Sequence, residues 1–483
     1  MWRLKFFGAT LVLAILSFLV TPVLAGWSVV ALNTSGATNS EAYGVYAGQV
    51  VGYAGSSAMI WTTTGTISTT LPFPSGYSSD AAYGVYNGQQ GGVEVNSSNN
   101  TQHAVIWSNT SASRTDLNPS GATSSSIFAV YNGQQAGWEQ TGGFAGPIYA
   151  GYWSGTASSF VNLGEGYAYG IYNSQVVGYV IPGGACLWNG SASNQVILAP
   201  SGSSSSEALG VYNGEQVGWS YTSGSGGDHA ALWSGSASSF VDLNPSAATS
   251  SSAVAVRDGY QVGWATISAK KHAAIWQGSA ASWIDIHSYL PSKYVQSGAT
   301  GIYDSGPNIW ISGYGEDSGG AFYAYLWHYV FGSVSGTINL GPYVGDKTKI
   351  PVVIEVRDST NSTILETHTM NMDSTGKYSF NISTMGLTGN HYITAKPSHW
   401  LAKGLLVNLS GGADTANFTV ANGDINGDNY VEDQDYSLMG LAWYSLLGDA
   451  NYDANADLNG DGAVEDQDYS LLGLSWYQSG DPF

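Results

Sequence analysis

The stretch Asp424-Ile-Asn-Gly-Asp-Asn-Tyr-Val-Glu-Asp-Gln-Asp435 lies near the C-terminus and recurs as Asp457-Leu-Asn-Gly-Asp-Gly-Ala-Val-Glu-Asp-Gln-Asp468. Each copy places an oxygen-bearing side chain at positions 1, 3, 5, 9 and 12 of a twelve-residue loop. This spacing lets a flexible loop surround one Ca²⁺ ion with six to eight hard oxygen ligands. The repeated stretch therefore predicts two calcium sites.

The candidate ligands follow from the position of each residue in its loop. In the first loop they are the side chains of Asp424, Asn426, Asp428, Glu432 and Asp435 and the backbone carbonyl of Tyr430. In the second loop they are the side chains of Asp457, Asn459, Asp461, Glu465 and Asp468 and the carbonyl of Ala463. Position 9 is expected to bind directly or through water, and position 12 supplies the closing carboxylate.

Position 6 of such a loop must turn sharply, and the two copies differ there. The second loop has Gly462, whereas the first has Asn429. Asn tolerates a positive φ better than most residues, so the first loop is expected to form but to hold calcium less tightly. The competing interpretation, that both stretches are merely solvated acidic turns, is disfavoured because the segments that follow them, Tyr436–Tyr444 and Tyr469–Tyr477, also match.

Both loops close with Asp, and the residues before them, Ala421-Asn-Gly and Asn455-Ala, leave no room for an entering helix. A loop followed by a single helix, duplicated and closed by Asp, resembles a type I dockerin over roughly residues 422–482. The resemblance implies a small α-helical calcium-binding domain, at residues 421–483, that docks onto a cohesin-like or other extracellular protein.

The chain departs from the dockerin pattern at the positions that recognise cohesins. Asp433-Gln434 and Asp466-Gln467 occupy loop positions 10 and 11, and no Lys or Arg follows Lys403. The metal is therefore better supported than the partner, and a tail that binds calcium only as a structural element is the alternative.

The N-terminus predicts export. Arg3 and Lys5 precede an apolar run from Phe6 to Val20, and Val23-Leu-Ala25 fits a cleavage site, so residues 1–25 are interpreted as a signal peptide rather than an uncleaved anchor. After its removal no membrane insertion is expected, and the protein should be extracellular, either free or associated with a cell surface. Cys186 is the only cysteine, which excludes an intramolecular disulfide.

Charge is concentrated at the C-terminus. The net charge is −21, and residues 421–483 hold thirteen Asp and Glu without a Lys or Arg. A chain this acidic, with no basic patch, is not expected to bind nucleic acid. Crowding of like charges also predicts that the tail needs calcium to fold.

Residues 26–330 are dominated by an internal repeat of 40–46 residues. A Gly-Val-Tyr-Asn-Gly-Gln type of motif aligns Tyr46, Tyr86, Tyr131, Tyr172, Tyr212, Arg257 and Tyr303. Each repeat contains four short β-patterns, the third of which ends in Trp61, Trp107, Trp153, Trp188, Trp233, Trp276 or Trp327. This period fits a four-stranded blade, so the sequence predicts a seven-bladed β-propeller.

The ends of the repeat region predict that the propeller closes. The seventh repeat has no fourth strand after Trp327, whereas Ser28–Asn33 matches the fourth strand at Ser239–Asn244. The N-terminal segment is therefore expected to be the outer strand of the last blade, which leaves only short edges. The His-Ala-x-x-Trp runs at His103, His229 and His272 resemble HAF-type extracellular repeats, which imply a propeller and no particular activity.

The three His residues could suggest a metal ring, but they share one structural position in separate blades, so hydrogen-bonded strand residues are favoured. The repeat Tyr and Trp residues are predicted to pack between blades rather than to stack on sugars. No pair of carboxylates stands out, and the chain is predicted not to be an enzyme. A channel lined only by Ser, Gly and Ala would count further against binding of a glycan or chemistry on one.

Residues 331–420 alternate in β fashion and resemble the small β-sandwich of the carboxypeptidase regulatory-like group. The expected fold is thus mainly β: a seven-bladed β-propeller, then a β-sandwich spacer, then the dockerin-like domain. The leading hypothesis is a secreted, non-catalytic attachment protein. The alternatives are a propeller that binds or acts on glycans and a purely structural extracellular protein.

Overall fold

The computed structural model describes residues 26–483 except 33–35, 67, 223, 225 and 411. These residues form two compact units: Trp27–Tyr329, here the repeat region, and Val330–Phe483, here the C-terminal unit. The predicted signal peptide, residues 1–25, lies outside the described residues. Within the described part of the chain, no helix has the length and apolar character needed to cross a membrane.

The strands of the repeat region form seven antiparallel groups of four. The N-terminal strand is β1 (Gly26–Ala31). The first group is β2 (Ser40–Tyr46), β3 (Gln49–Ala54), β4 (Ser57–Thr62) and β5 (Ser68–Leu71). The second is β6 (Tyr77–Tyr86), β7 (Gln89–Asn96), β8 (Gln102–Trp107) and β9 (Thr115–Asp116). The third is β10 (Ala122–Tyr131), β11 (Gln134–Thr141), β12 (Ile148–Trp153) and the beginning of β13 (Val161–Tyr172).

The fourth group shares β13 with the third. It continues with β14 (Gln175–Val180), β15 (Gly184–Asn189) and β16 (Gln195–Ile197). The fifth is β17 (Ser203–Tyr212), β18 (Glu215–Thr222), β19 (His229–Trp233) and β20 (Val241–Asp242). The sixth is β21 (Ser251–Arg257), β22 (Tyr260–Ile267), β23 (Lys270–Trp276) and β24 (Ile284–Asp285). The seventh contains β25 (Tyr294–Ser305), β26 (Asn308–Asp317) and β27 (Phe322–Val330).

The fourth strand of the seventh group comes from the N-terminus. The strand order of this sheet is β1-β27-β26-β25. Just beyond β1, the Leu32 backbone N–H donates to the Ala324 carbonyl at 3.0 Å. The prediction that the N-terminal segment supplies the missing outer strand is confirmed.

Large side chains fill the spaces between neighbouring groups. The seven repeat Trp residues are all less than 2% exposed, as the packing interpretation predicts. Full burial of an aromatic side chain contributes on the order of 2–3 kcal/mol through the hydrophobic effect. Cys186 is also buried, and burial raises the pKa of its thiol to about 12.

A hydrogen bond that the sequence did not predict joins one group to the next. A backbone N–H of the third strand donates to a Ser hydroxyl on the first strand of the following group. The pairs are Ala104 with Ser125, Ala185 with Ser206, Ala230 with Ser251, Ala273 with Ser297, and Ala324 with Ser40, at 2.9–3.1 Å. At the equivalent position the Ala58 N–H donates to the Asp80 carboxylate at 2.6 Å.

The C-terminal unit begins with two small sheets that enclose one core. One sheet contains β28 (Ser333–Asn339), β31 (Lys377–Asn381), β34 (Ala413–Thr415) and β35 (Phe418–Thr419). The other has the order β30-β29-β32-β33, with β29 (Pro351–Arg357), β30 (Ile364–Asn371), β32 (Asn390–Pro397) and β33 (Lys403–Asn408). Apolar residues from both sheets, such as Val334, Phe380, Ile354 and Ile393, share one buried cluster.

Two short helices, α1 (Asp433–Leu441) and α2 (Asp466–Leu474), complete the C-terminal unit. Their core contains Val431, Met439, Val464 and Leu472, and Leu401 from the preceding segment belongs to the same buried cluster. Seven 3₁₀ turns lie at Ser111–Ser113, Ala157–Ser159, Ala192–Asn194, Ala237–Ser239, Ala280–Ser282, His287–Tyr289 and Lys347–Lys349. The predicted mainly β chain with a helical C-terminal end is confirmed.

Candidate metal centre

Each predicted calcium loop leads directly into one of the two helices. The helices begin at Asp433 and Asp466, which are loop position 10, so the position-12 carboxylates lie in the first helical turn. The position-1 and position-12 residues are all buried: Asp424, Asp435, Asp457 and Asp468 are at most 2% exposed. The fold thus brings the two ends of each loop together, as the ligand pattern predicts.

In the first loop, Asp435 fastens the helix to the beginning of the loop. Its Oδ1 accepts hydrogen bonds from the backbone N–H groups of Ile425 at 2.7 Å and Asn426 at 3.1 Å, and its Oδ2 accepts one from Glu432 at 2.9 Å. An ionised carboxylate offers about four lone-pair sites, so these bonds leave capacity for a cation. The Asp428 side chain accepts from the Tyr430 N–H at 2.9 Å, which orders the middle of the loop.

The second loop repeats this arrangement. Asp468 accepts from the backbone N–H groups of Asn459 at 3.0 Å and Glu465 at 2.8 Å. Asp461 accepts from the Ala463 N–H at 3.0 Å. The Gly462 N–H at position 6 donates to Asp457 at 2.9 Å, and the Asn429 N–H makes the equivalent bond to Asp424 at 3.0 Å.

The donor set fits calcium. Among the described residues, no group of three or more His, Cys, Asp or Glu side chains forms a metal cluster. The loops instead combine carboxylates with an Asn side chain and a backbone carbonyl, all of them oxygen ligands suited to Ca²⁺. Moreover, Asp424 Oδ1 is buried without a hydrogen-bond partner. A buried bare carboxylate oxygen is costly unless a cation or donor faces it, which is consistent with a bound ion.

Burial raises the pKa of one candidate ligand carboxyl group in each loop. Desolvation raises the pKa of Asp424, and the Lys396 ammonium group opposes that rise. Desolvation likewise raises the pKa of Asp468, against hydrogen bonds from the Glu465 and Asn459 backbone. Calcium ligation requires deprotonated carboxylates, so a raised pKa would make a calcium site here more sensitive to acid.

The first loop is also attached to the sheets that precede it, through contacts that sequence reasoning missed. Lys396 Nζ donates to Asp424 Oδ2 at 2.6 Å. The Asn429 side chain accepts from the Ala402 N–H at 2.7 Å and donates to the Asp481 carbonyl at 2.9 Å. The φ of Asn429 is +72°, in the left-handed region expected at position 6. No local pattern marks these contacts, because the partners lie on separate elements.

The second loop has its own contacts. The Asn459 carbonyl accepts a hydrogen bond from the Val344 N–H at 2.7 Å. The Tyr452 hydroxyl donates to Asp457 Oδ2 at 2.7 Å. Both loops are therefore part of the C-terminal unit as a whole.

The repeat His residues do not converge on a metal. Each donates or accepts within its own group, where its Nδ1 lies 2.7–3.0 Å from an Asp of the fourth strand: His103 with Asp116, His229 with Asp242, and His272 with Asp285. The interpretation of these His as hydrogen-bonded strand residues is confirmed.

The repeat Tyr residues form a closed ring. Successive members Tyr46, Tyr86, Tyr131, Tyr172, Tyr212, Arg257, Tyr303 and again Tyr46 lie 4.4–4.9 Å apart between ring centroids or from guanidinium to ring. They pack between groups, as expected. The seven contacts also close the circle of first strands on itself.

A cavity of about 460 Å³ lies among the same first strands. Tyr43, Tyr83, Phe128 and Tyr169 line one side, with 4.9–5.8 Å between neighbouring ring centroids. The remainder is lined by Leu209, Val254, Thr300 and the small and aliphatic residues beside them. The lining of this cavity is therefore not restricted to Ser, Gly and Ala. A lining of only those small residues would have counted against a glycan ligand, and the described residues do not show one.

Comparison with known proteins identifies the class of the C-terminal segment. Residues 422–473 match the family described as the dockerin type I domain. The chain thus carries a type I dockerin domain, a class that generally binds Ca²⁺. No curated protein matches the sequence.

The solved structures that match this chain resemble it only distantly. A mutant type II cohesin–X–dockerin complex from Acetivibrio cellulolyticus has 20% identity and a TM-score of 0.26, covering 32% of this chain and 99% of that chain. A puromycin hydrolase has 10% identity and a TM-score of 0.40, with coverage of 60% and 54%. A prolyl endopeptidase has 9% identity and a TM-score of 0.42, with coverage of 80% and 62%.

These comparisons correct the prediction that the chain is not an enzyme. Hydrolases and peptidases stand among the structures that match it, so the absence of activity is not a conclusion that the sequence supports. A missing carboxylate pair excludes only one kind of chemistry, the hydrolysis of glycosides by two carboxylates. At about 10% identity and with TM-scores below 0.5, the matches assign no activity or catalytic residue to this chain.

Proposed function

We propose that this is a secreted modular protein whose C-terminal unit is a calcium-dependent docking device for a cohesin-type partner. The type I dockerin domain and the fit of both loops to calcium support this function. Calcium, when bound, would hold each loop against its helix and so fix the position of the two helices. The protein would then be recruited to a scaffold or cell surface through that partner.

An exposed apolar surface on the dockerin domain carries the proposal. Six large side chains project from equivalent positions of the two copies: Tyr436 and Tyr469 (51% each), Leu441 (75%) and Leu474 (74%), Tyr444 (72%) and Tyr477 (74%). Leu446 and Leu447 extend the surface at 60% and 74% exposure. The Tyr436 and Tyr469 rings lie 5.8 Å apart between centroids, so the two copies meet at this pair. Exposed apolar groups that gather in this way mark surfaces that bind proteins.

Charge complements that surface. Asp433 and Asp466 lie at the beginnings of α1 and α2, and no basic residue follows Lys403. A partner with an apolar centre and a basic rim would match it, since opposite charges at the rim speed association. The Asp-Gln pairs at loop positions 10 and 11, Asp433-Gln434 and Asp466-Gln467, would then select among cohesins.

The experiment measures binding of the full chain to a panel of immobilised cohesin modules, with calcium and with a chelator. We expect calcium-dependent binding that the double substitution L441S/L474S weakens at least tenfold, because two exposed anchors lose their apolar area. The control L406S changes an equally apolar side chain, 52% exposed, on a strand of the preceding sheets. Binding that persists in chelator, or that L441S/L474S leaves intact, would contradict the proposal.

The repeat region is proposed to be a seven-bladed β-propeller, and residues 331–420 a β-sandwich that holds the dockerin domain. Seven groups of four strands, the shared closure by β1 and the closed ring of Tyr and Arg side chains support the first assignment. The single buried core between two sheets supports the second.

A glycan-binding propeller is the second candidate function, favoured by the aromatic residues along the cavity. Half-buried rings can pack against the apolar faces of sugars. Glycan-array binding by the full chain that Tyr83→Ala abolishes, and that Tyr221→Ala, an exposed residue of β18 outside the cavity lining, leaves unchanged, would support it. No bound glycan, or equal effects of the two substitutions, would count against it.

A further inference from the structure

The two loops have the same types of candidate ligand, but a different group donates a hydrogen bond to the Oδ2 atom of the position-1 Asp in each loop. In the first loop, Asp424 Oδ2 accepts from the ammonium of Lys396 at 2.6 Å. In the second, Asp457 Oδ2 accepts from the neutral phenol of Tyr452 at 2.7 Å. The two contacts occupy the same place relative to the loop, yet only one of them carries a charge.

Lys396 is a fixed part of the structure. It lies near the end of β32, is 7% exposed, and donates to the carbonyls of Ser398 at 3.0 Å and Trp400 at 2.8 Å as well as to Asp424. An ammonium group has three donors, and all three are used. The residue therefore cannot move away when a cation enters the loop without leaving buried acceptors unpaired.

The lysine changes the charge that the first loop presents. Asp424, Asp428, Glu432 and Asp435 supply four carboxylates, as do the equivalent residues of the second loop. Calcium affinity in such loops depends on the number of charged ligands and on rigidity. Lys396 offsets one of the four negative charges of the first loop, because it pairs with Asp424. Among the described residues, no comparable buried cation pairs with a carboxylate of the second loop.

We propose that Lys396 makes the first loop the weaker calcium site of the pair and holds that loop folded when calcium leaves. The second loop, which lacks a built-in cation, is the tighter site and loses its structure on chelation. This inference rests on the proposed calcium-binding function. It assigns the asymmetry to Lys396 and not to Asn429, whose φ of +72° and two side-chain hydrogen bonds adapt it to position 6.

The test is calcium titration of the full chain by calorimetry, after removal of metal. The wild type should bind two ions with dissociation constants at least tenfold apart. Asp461→Asn should weaken the tight site and Asp428→Asn the weak one, because each changes position 5 of its own loop. Lys396→Met should raise the calcium affinity of the weak site about tenfold. Residues that hydrogen-bond to a metal ligand typically change metal affinity by a factor of this size.

Two further variants complete the design. Lys396→Gln removes the charge but keeps a hydrogen-bond donor, and it replaces Lys396→Met if that variant unfolds. Lys403→Met is the matched control, because Lys403 pairs with Asp481 at 2.8 Å and touches neither loop's ligands. Circular dichroism in saturating calcium verifies the fold of each variant.

The possible results distinguish a failure of the proposed role of Lys396 from a failure of the proposed calcium binding. A wild-type chain that binds no calcium would overturn the proposed function and the inference together. Two sites of equal affinity, a weak site in the second loop, or no gain in affinity in either folded Lys396 variant would overturn the inference alone. Failure of both Lys396 variants to fold in calcium would make Lys396 a purely structural residue and also overturn it.

Discussion

The aromatic rings of Tyr46 and Tyr303 lie 4.9 Å apart between centroids, although these residues belong to the first and the seventh repeat. This contact is the last in a ring of seven, and it coincides with the pairing of the N-terminal strand and β27. The two ends of the repeat region are thus joined twice, through the Tyr46–Tyr303 contact and through the pairing of β1 with β27. The pairing covers the free edge of β27, which limits aggregation through that edge.

Arg257 stands where the other six repeats have Tyr. Its guanidinium lies 4.6 Å from the Tyr212 ring and 4.9 Å from the Tyr303 ring, and it pairs with Asp304. Arg257→Ala should destabilise the repeat region by about 1–3 kcal/mol, because two cation–π contacts are lost and Asp304 loses its partner. Urea denaturation of the full chain measures this, with the exposed Lys270→Ala as control. Equal midpoints for the two variants would contradict it.

Asp80 should make the stability of the repeat region depend on pH. It is 4% exposed, and burial raises the pKa of its carboxyl group to about 7. The folded state therefore keeps a proton that the unfolded state releases near pH 4. Its contribution is fully present below about pH 4 and is lost as the pH rises through 7, by up to about 4 kcal/mol.

The substitution that tests this is Asp80→Ser, which installs the residue found in five equivalent positions. It should raise the melting temperature at pH 8 and flatten the rise seen on acidification to pH 5. Ser206→Ala is the control, since it removes an equivalent hydrogen bond without a titrating group. A wild-type melting temperature that does not increase between pH 8 and pH 5 relative to Asp80→Ser would refute the assignment.

The N-terminal strand should be essential for the stability of the repeat region. Leu32 is fully buried beside Ala324, so Leu32→Ala should cost about 2–5 kcal/mol through lost burial and a cavity. Leu32 directly follows β1, and Ser28→Ala at an exposed position of β1 itself should cost little. Chemical denaturation measures both, and a cost below 1 kcal/mol for Leu32→Ala would show that the strand is dispensable.

Chelation should lower the stability of the C-terminal unit selectively. Binding to the folded state alone stabilises it by about 4 kcal/mol per site when free calcium is one thousand times Kd. Calorimetric melting with calcium and with a chelator should therefore shift the transition of this unit. The transition of the repeat region, which has no predicted calcium loop, serves as the internal control. Equal shifts of both would argue against a local effect.

Asn429→Gly should not improve the first loop, although Gly is the usual residue at position 6. The Asn429 side chain bonds to Ala402 and Asp481, so its removal should cost about 1 kcal/mol. Asn361→Gly is the matched control, because Asn361 has a φ of +61° and its side-chain oxygen has no hydrogen-bond partner. Thermal melting in excess calcium compares them. A greater stability of Asn429→Gly than of wild type would contradict the structural account.

Much of the fold could be predicted from residue types at fixed spacing. The repeat at Tyr46 and its equivalents, the buried Trp series and the outer strand from the N-terminus all follow from local patterns that recur at one period. The single helix that each loop leads into, α1 or α2, was predictable for the same reason. The alternation of strands and the residues of turns depend on neighbours in the sequence. When a pattern repeats, it can be recognised even where a single repeat departs from it.

The contacts that make one repeat differ from the other repeats, or one loop from the other loop, were not predictable. Asp80 resembles any acidic strand residue until its burial against Ala58 is known. Lys396 lies 28 residues before Asp424, and only the packing of β32 against the first loop makes them an ion pair. The sequence alone determined that two oxygen-rich loops follow a closed repeat, because ligand spacing and period are properties of the chain. The tertiary structure decided which loop faces a buried cation, because burial and charge pairing depend on elements brought together by folding.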